Sequence, residues 1–319
     1  MNSTRIWRRL WDVQFGHVHK QRLTFRWLKT VRRRLRGEHT SMNSNDIEGW
    51  IQAFDSNRPR RLEIPRRACV ALILRLQRGN QERQGDSVNR HLPAHCLEVL
   101  FIRRAIKVRD RFSGHIGFPG GHQEDADNGD DLATAMRETR EEVGLNLADS
   151  TCFVMLGRLD DQRIHSRSRV TAFCAFVFLQ VSSDTPEVVQ DAREVDSVWW
   201  IPIRALVDAP TDVTSIVRTV PIRFAWKAIC AQVVFPSIRI AEMAQPDVSN
   251  HPDRTNPGTL PFLWGLTLRA FRQMILILAP DDHGPLAKSR LPIIPRNWFL
   301  WLYLQLRFRL LNSREDVGS

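Results

Sequence analysis

An α/β domain extended at both ends is the fold this sequence predicts, and three observations carry the expectation. Apolar, partly β-branched runs recur at 67–76, 97–103, 152–156, 170–179 and 194–201, each short and bounded by polar or turn residues. Among them sits one segment with helical punctuation, opening near Asp131 and closing at Gly144, where a left-handed residue would stop a helix. With 319 residues, 43% hydrophobic and 25% charged, the chain can bury a core of roughly 200 residues or more and still carry extensions. The expected division is a basic extension and linker at 1–66, the domain at 67–280 and an apolar, basic extension at 281–319.

The net charge of +11 is concentrated rather than spread. Residues 1–40 hold eleven Lys/Arg against Asp12 and Glu38, so the rest of the chain is nearly balanced. A nucleic-acid binder would carry that charge on its folded core, and nucleic acid is not the expected partner. Residues 1–36 mix arginines with Trp7, Trp11, Phe15, Phe25 and Trp27 and lack the unbroken apolar centre of a secretory signal. Three roles fit them: a mitochondrial transit segment, a helix on an anionic membrane surface, or a basic tail. A mitochondrial or other membrane-associated compartment is expected ahead of the cytoplasm. Five scattered cysteines with no paired spacing point to a reducing compartment.

Residues 37–66 read as a linker, with Trp50, Ile51 and Phe54 docking as a short helix. The first two strands form a pair joined by a long polar loop. The run at 170–179 is continuous rather than alternating, as in a central strand covered on both sides. Residues 160–169 read as a polar loop and 208–258 as irregular. A buried helix is expected from about Trp264 to Leu278, with Arg269 and Arg272 arguing against a membrane span. Residues 298–311 are too short to cross a bilayer and either pack on the domain or lie on a membrane or partner surface.

The chemistry concentrates at 113–145. Glu138, Glu141 and Glu142 stand at i, i+3 and i+4 of the predicted helix, so their carboxylates project together. Such a cluster is costly by a few tenths of a kcal/mol per like-charged pair (roughly) unless compensated, here by Arg137 and Arg140. Phe118-Pro119-Gly120-Gly121 before it lets backbone approach an ion or ligand closely. Hard oxygen donors of this kind suit Mg²⁺ or Mn²⁺, ions that accompany phosphates. Arg103, Arg104, Lys107, Arg109 and Arg111 bring positive charge up to the turn, with His115 beside it; these are candidate phosphate contacts.

The run Arg137-Glu138-Thr139-Arg140-Glu141-Glu142-Val143-Gly144-Leu145, with Gly120-Gly121 ahead of it, resembles the signature of the Nudix hydrolases. Thr139 stands at a usually aliphatic position, and Gly129 where the family has an acid, leaving Asp127 as the substitute in a loop lengthened by two residues. The resemblance implies an αβα sandwich with a mixed central sheet, here with extra C-terminal helices. It also implies hydrolysis of a nucleoside diphosphate linked to another moiety. By the family pattern Glu138, Glu141, Glu142 and the Gly120 carbonyl hold the metal, Arg137 orients the glutamates, and Glu142 or Glu194 is the general base. Within the family the chain looks most like the coenzyme A diphosphatases, on 99–121, 194–202 and the Trp264-Gly265-Leu266-Thr267 run. Phe112 stands where that branch has a histidine. The alternatives are a Nudix protein acting at RNA caps or other nucleic acid, and a non-catalytic nucleotide-binding module.

Overall fold

The computed structural model describes residues 44–77, 96–108, 112–165, 169–209, 212–224, 227–240, 262–279 and 294–295, with backbone alone at 44–45, 165, 212–224, 227–234 and 294–295. The basic N-terminal segment and the apolar stretch at 298–311 lie outside these residues, as do Arg109 and Arg111. Helix α1 (Ser44–Ser56) leads into β1 (Arg67–Leu76) and β2 (Leu97–Arg104), then β3 (Ile116–Gly117) and β4 (Gly120–His122). Helix α2 (Asp131–Val143) is followed by β5 (Phe153–Arg158), β6 (Gln162–His165), β7 (Val170–Gln180), β8 (Val195–Pro202) and α3 (Ile203–Asp208). A hairpin of β9 (Asp212–Phe224) and β10 (Lys227–Arg239), then β11 (Phe262–Trp264), α4 (Gly265–Leu278) and β12 (Ile294–Pro295), complete the described chain.

The main sheet has eight strands and is mixed. β1 runs parallel to β7 and antiparallel to β2 and β4, while β5 and β6 flank β7 and β8 flanks β2. Both β1 and β7 are buried along nearly their whole length, which is why each is a continuous apolar run rather than an alternating one. One face of the sheet packs against α2 through Leu132, Ala135 and Val143. The other packs against α1 and α4 through Phe54, Phe271 and Met274. This is the expected αβα sandwich, with its mixed sheet between the helical layers.

Three regions differ from what the composition predicts. The short helix expected within 37–66 is present but longer, running 13 residues from Ser44 to Ser56. Ile47, Trp50 and Phe54, at i, i+3 and i+7, enter the core, and a Cβ at Gly157 would stand 2.5 Å from that of Phe54. Burying one such ring contributes about 1.5–3 kcal/mol. The polar loop assigned to 160–169 contains β6, paired to β7 at the sheet edge. The irregular region assigned to 208–258 contains the long β9–β10 hairpin, which with β11 and β12 forms a second, four-stranded sheet. Polar edge strands show their pattern only against a partner distant in sequence. Among the described residues, no helix is long and apolar enough to cross a membrane.

The arrangement that places the site is a fork. β1 and β2 pair only at Leu74–Leu76 with Leu97–Val99. Beyond that β3 stays with β2, and β4 stays with β1. Phe118 and Pro119 bridge the gap, and the Pro119 carbonyl accepts from Ala71 N at 2.9 Å.

Candidate active site

Helix α2 is fixed at both ends. The Asp130 carboxylate caps it by accepting from Leu132 N (2.8 Å) and Ala133 N (3.3 Å). At its C-terminus, Gly144 sits at φ 75° and donates to the Arg140 carbonyl. The carbonyls of Glu142 and Val143 accept from Asp191 N and Val189 N, so the last turn is tied to the chain leading into β8. Thr139, at the position where an aliphatic residue is usual, is fully buried and satisfies its hydroxyl on the Ala135 carbonyl at 2.7 Å.

The helix is seated against the glycine turn. Gly120 lies at φ 144°, and a Cβ there would overlap the Cys69 carbonyl and Val70. A Cβ on Gly121 would collide with the Glu138 carboxylate. Glycine at both positions therefore lets turn and glutamates occupy the same small space. Gly120 N donates to Glu142 Oε2 at 2.8 Å, and Arg104 Nη1 stands 4.0 Å from Glu142 Oε1.

The three helix glutamates do not share one environment. Glu142 is 1% exposed, and the Glu138 and Glu141 side chains are 12% and 58% exposed. At 100° per residue Glu141 and Glu142 diverge (roughly) by a quarter turn, so Glu138 and Glu142 face the turn while Glu141 stands at the rim. Burial pushes the Glu142 carboxyl up to about 7, against the lowering effects of Gly120 N–H and Arg104 and with help from the Glu138 and Glu194 charges. Burial also raises Glu138, opposed by Arg137 and aided by Glu141 and Glu194. Carboxylates that raise one another in this way fit a site completed by a cation, and their oxygens are hard donors suited to one.

Arg137 is the hub of the acidic cluster. Its guanidinium donates to both oxygens of Asp127 (2.9 and 3.0 Å), to Glu138 Oε1 (3.0 Å), Glu141 Oε2 (2.9 Å) and the His122 carbonyl (3.2 Å). Asp127 is buried and also accepts from Thr134 Oγ1 and Glu124 N, both at 2.9 Å. Its bonds to Arg137 hold its carboxyl below the ordinary range. The loop acid thus contacts α2 through Arg137 and Thr134 rather than facing the glutamates directly.

Opposite the helix, the Glu194 carbonyl accepts from Ala105 N, and its half-exposed carboxylate lies 3.8 Å from Lys107 Nζ. Its charge is felt at both Glu138 and Glu142. Arg104 reaches the same cluster, whereas Arg103 turns to Asp196 at 3.5 Å. His115 packs edge-on against Phe112 and Trp264, with ring centroids 5.9 and 5.1 Å apart. Lys107 was visible in sequence only as one of several basic residues, and the Asp196 partner of Arg103 had no signal there.

A second group, Cys69, Asp131 and Cys174, brings one ligand atom each to within 4.8 Å of one another. Its Asp131 oxygens are already taken by Arg67 Nε (2.5 Å) and Arg158 Nη1 (2.8 Å). Two guanidiniums beside it oppose a cation there.

Residues 93–220 match the family model of the NUDIX domain. An uncharacterised protein of Schizosaccharomyces pombe is 28% identical over 231 residues, 68% of this chain and 68% of that one. The peroxisomal coenzyme A diphosphatase ndx-8 of Caenorhabditis elegans is 34% identical over 112 residues, 35% of this chain and 44% of that one. The mitochondrial coenzyme A diphosphatase NUDT8 of Homo sapiens is 30% identical over 109 residues, 34% of this chain and 43% of that one. The chain therefore matches less than half the length of either diphosphatase. The family match and the oxygen-rich donor set support a divalent-metal-dependent hydrolase in general. The glycine turn in the fork of the sheet and the acidic helix seated on it both lie within the residues, 93–220, that match the NUDIX domain.

Proposed function

We propose that the chain hydrolyses the pyrophosphate bond of a nucleoside diphosphate linked to a second moiety, using Mg²⁺ or Mn²⁺. The observation that carries this reading is the meeting of Glu138 and Glu142, from successive turns of α2, with Gly120 and Gly121. Glu138, Glu141, Glu142 and the Gly120 carbonyl would hold the metal. When bound, it screens the phosphate oxygens and acidifies a water. Arg137 sets the directions of Glu138 and Glu141 while Asp127 holds Arg137 in place. Arg104 and Lys107 offer positive charge to the substrate phosphates, and Arg103, Arg109, Arg111 and His115 remain further candidates from the sequence. Glu194 is the general base in this reading. It is half exposed, close enough to the cluster to bias Glu138 and Glu142, and outside the hydrogen bond that ties Glu142 to the turn.

Coenzyme A or its acyl esters are the proposed substrates. Support comes from the names of two relatives and from the partial branch signature at 99–121, 194–202 and 264–267. The division at 1–66, 67–280 and 281–319 and a mitochondrial or membrane-associated location belong to the same proposal; the NUDT8 relative is mitochondrial by name. The test is product analysis over coenzyme A, acyl-coenzyme A, ADP-ribose, NADH, diadenosine polyphosphates and oxidised nucleoside diphosphates. Release of phosphopantetheine with 3′-phosphorylated AMP supports the coenzyme A reading; turnover of another diphosphate alone removes it. No metal-stimulated cleavage of any of them would end the hydrolase reading.

A further inference from the structure

Cys69 on β1 and Cys174 on β7 are register partners on adjacent parallel strands, and both side chains face the α2 side of the sheet. Neighbouring strands run about 4.8 Å apart, inside the roughly 4.4–6.8 Å between Cα atoms that a disulfide accepts. The two sulfurs already lie within 4.8 Å of each other. Arg67 Nη2 donates to Cys174 Sγ at 3.2 Å, which places a guanidinium directly beside that sulfur. Both cysteines are fully buried, but Arg67 and Asp131 beside them keep 14% and 12% of their side chains in solvent.

We propose that Cys69 and Cys174 are an oxidative modification site, a dithiol that peroxide closes to a disulfide beneath the glycine turn. Cys174 thiolate attacks one peroxide oxygen and breaks the O–O bond. This gives a sulfenic acid and hydroxide, which takes up the proton lost by the thiol. The Cys69 sulfur then attacks the sulfenyl sulfur, and its hydroxyl leaves as water with the Cys69 proton. Two thiols and one peroxide become one disulfide and two waters.

The location couples this chemistry to the site. Cys69 pairs with Gly121 across β1 and β4, and its carbonyl lies against Gly120. Closing the bond brings sulfurs now within 4.8 Å of each other to about 2.05 Å, which re-aims Cys69 under the turn that rests on it and so shifts the turn relative to Glu138 and Glu142. A misplacement of about 1 Å at such a site lowers turnover on the order of a hundredfold. This part rests on the hydrolase reading.

The experiment treats the full chain with hydrogen peroxide, alkylates the remaining thiols and maps the peptides by mass spectrometry. It uses both the native sequence and the variant Cys96→Ser/Cys152→Ser/Cys230→Ser, which retains the proposed pair. The expected result is a 69–174 linked peptide in both, at least about a tenfold loss of diphosphate hydrolysis, recovery with dithiothreitol, and resistance of Cys69→Ser to peroxide. Thiols at 69 and 174 that remain fully alkylatable after unfolding would overturn the proposal. So would stoichiometric Zn²⁺ bound by the pair, or a linked peptide formed without loss of activity. If the untreated chain cleaves no diphosphate, the hydrolase reading fails, and the linked peptide still decides whether the pair is oxidisable.

Discussion

Replacing Glu142 by Gln should change the pH dependence of stability in a direction set by its burial. In the folded chain its carboxyl rises from the ordinary 4.5 to about 7. At about 1.4 kcal/mol per pH unit, the ionised form is disfavoured in the folded state by up to about 3 kcal/mol. Below pH 4.5 the group is protonated in both folded and unfolded chains and contributes nothing. Between 4.5 and 7 the folded chain keeps a proton that the unfolded chain has lost, so stability falls as pH rises, and above 7 the loss is complete. Asp127 and Asp161, both lowered, act in the opposite sense only around and below their ordinary 3.8. In EDTA, melting followed by circular dichroism should therefore fall by at most roughly 6–12 °C from pH 5 to pH 8. Glu142→Gln, which keeps an acceptor for Gly120 N–H, should remove most of that slope. Mg²⁺ or Mn²⁺ should restore the wild type at pH 8 and do little for the variant. Equal slopes in the two proteins, or a wild type indifferent to metal, would refute the reasoning.

Glu141→Gln and Glu142→Gln should each lower metal-stimulated hydrolysis by more than about tenfold with the fold intact, measured by product release and circular dichroism. Gly121→Ala should lose activity while melting close to wild type, because the added methyl meets the flexible Glu138 carboxylate rather than the core. Arg137→Ala leaves Asp127 buried with only Thr134 and Glu124 as partners, and should cost about 1–3 kcal/mol in denaturant unfolding. Phe54→Ala should cost about 3–5 kcal/mol in the same assay, and a surface-like loss would mean that α1 is not part of the core.

The strands of the main sheet were legible because burial on both faces writes a continuous apolar run, as at 67–76 and 170–179. The acidic helix was legible from the spacing of its glutamates and its closing glycine. Helix α1 was only half read: Ile47, Trp50 and Phe54 hold helical spacing, but the surrounding Ser, Asn and Asp dominate the composition. The β9–β10 hairpin was missed because its stability depends on a partner strand, not on its own periodicity. Around the glycine turn, the residues that meet could be named from sequence, but not the environment each of them takes. That Glu141 turns to Arg137 at the rim while Glu142 is sealed against Gly120 follows from the seating of α2 on the fork, which no local pattern encodes.

The two central strands separate toward the glycines and meet at their other end, where Gln77 N donates to the Cys96 carbonyl at 2.9 Å and Leu76 faces Leu97. The connection between them leaves from that clamped end. Lengthening or trimming residues 78–95 would thus load a joint already fastened by backbone bonds, and the spacing of the jaws that grip the turn would not register the change.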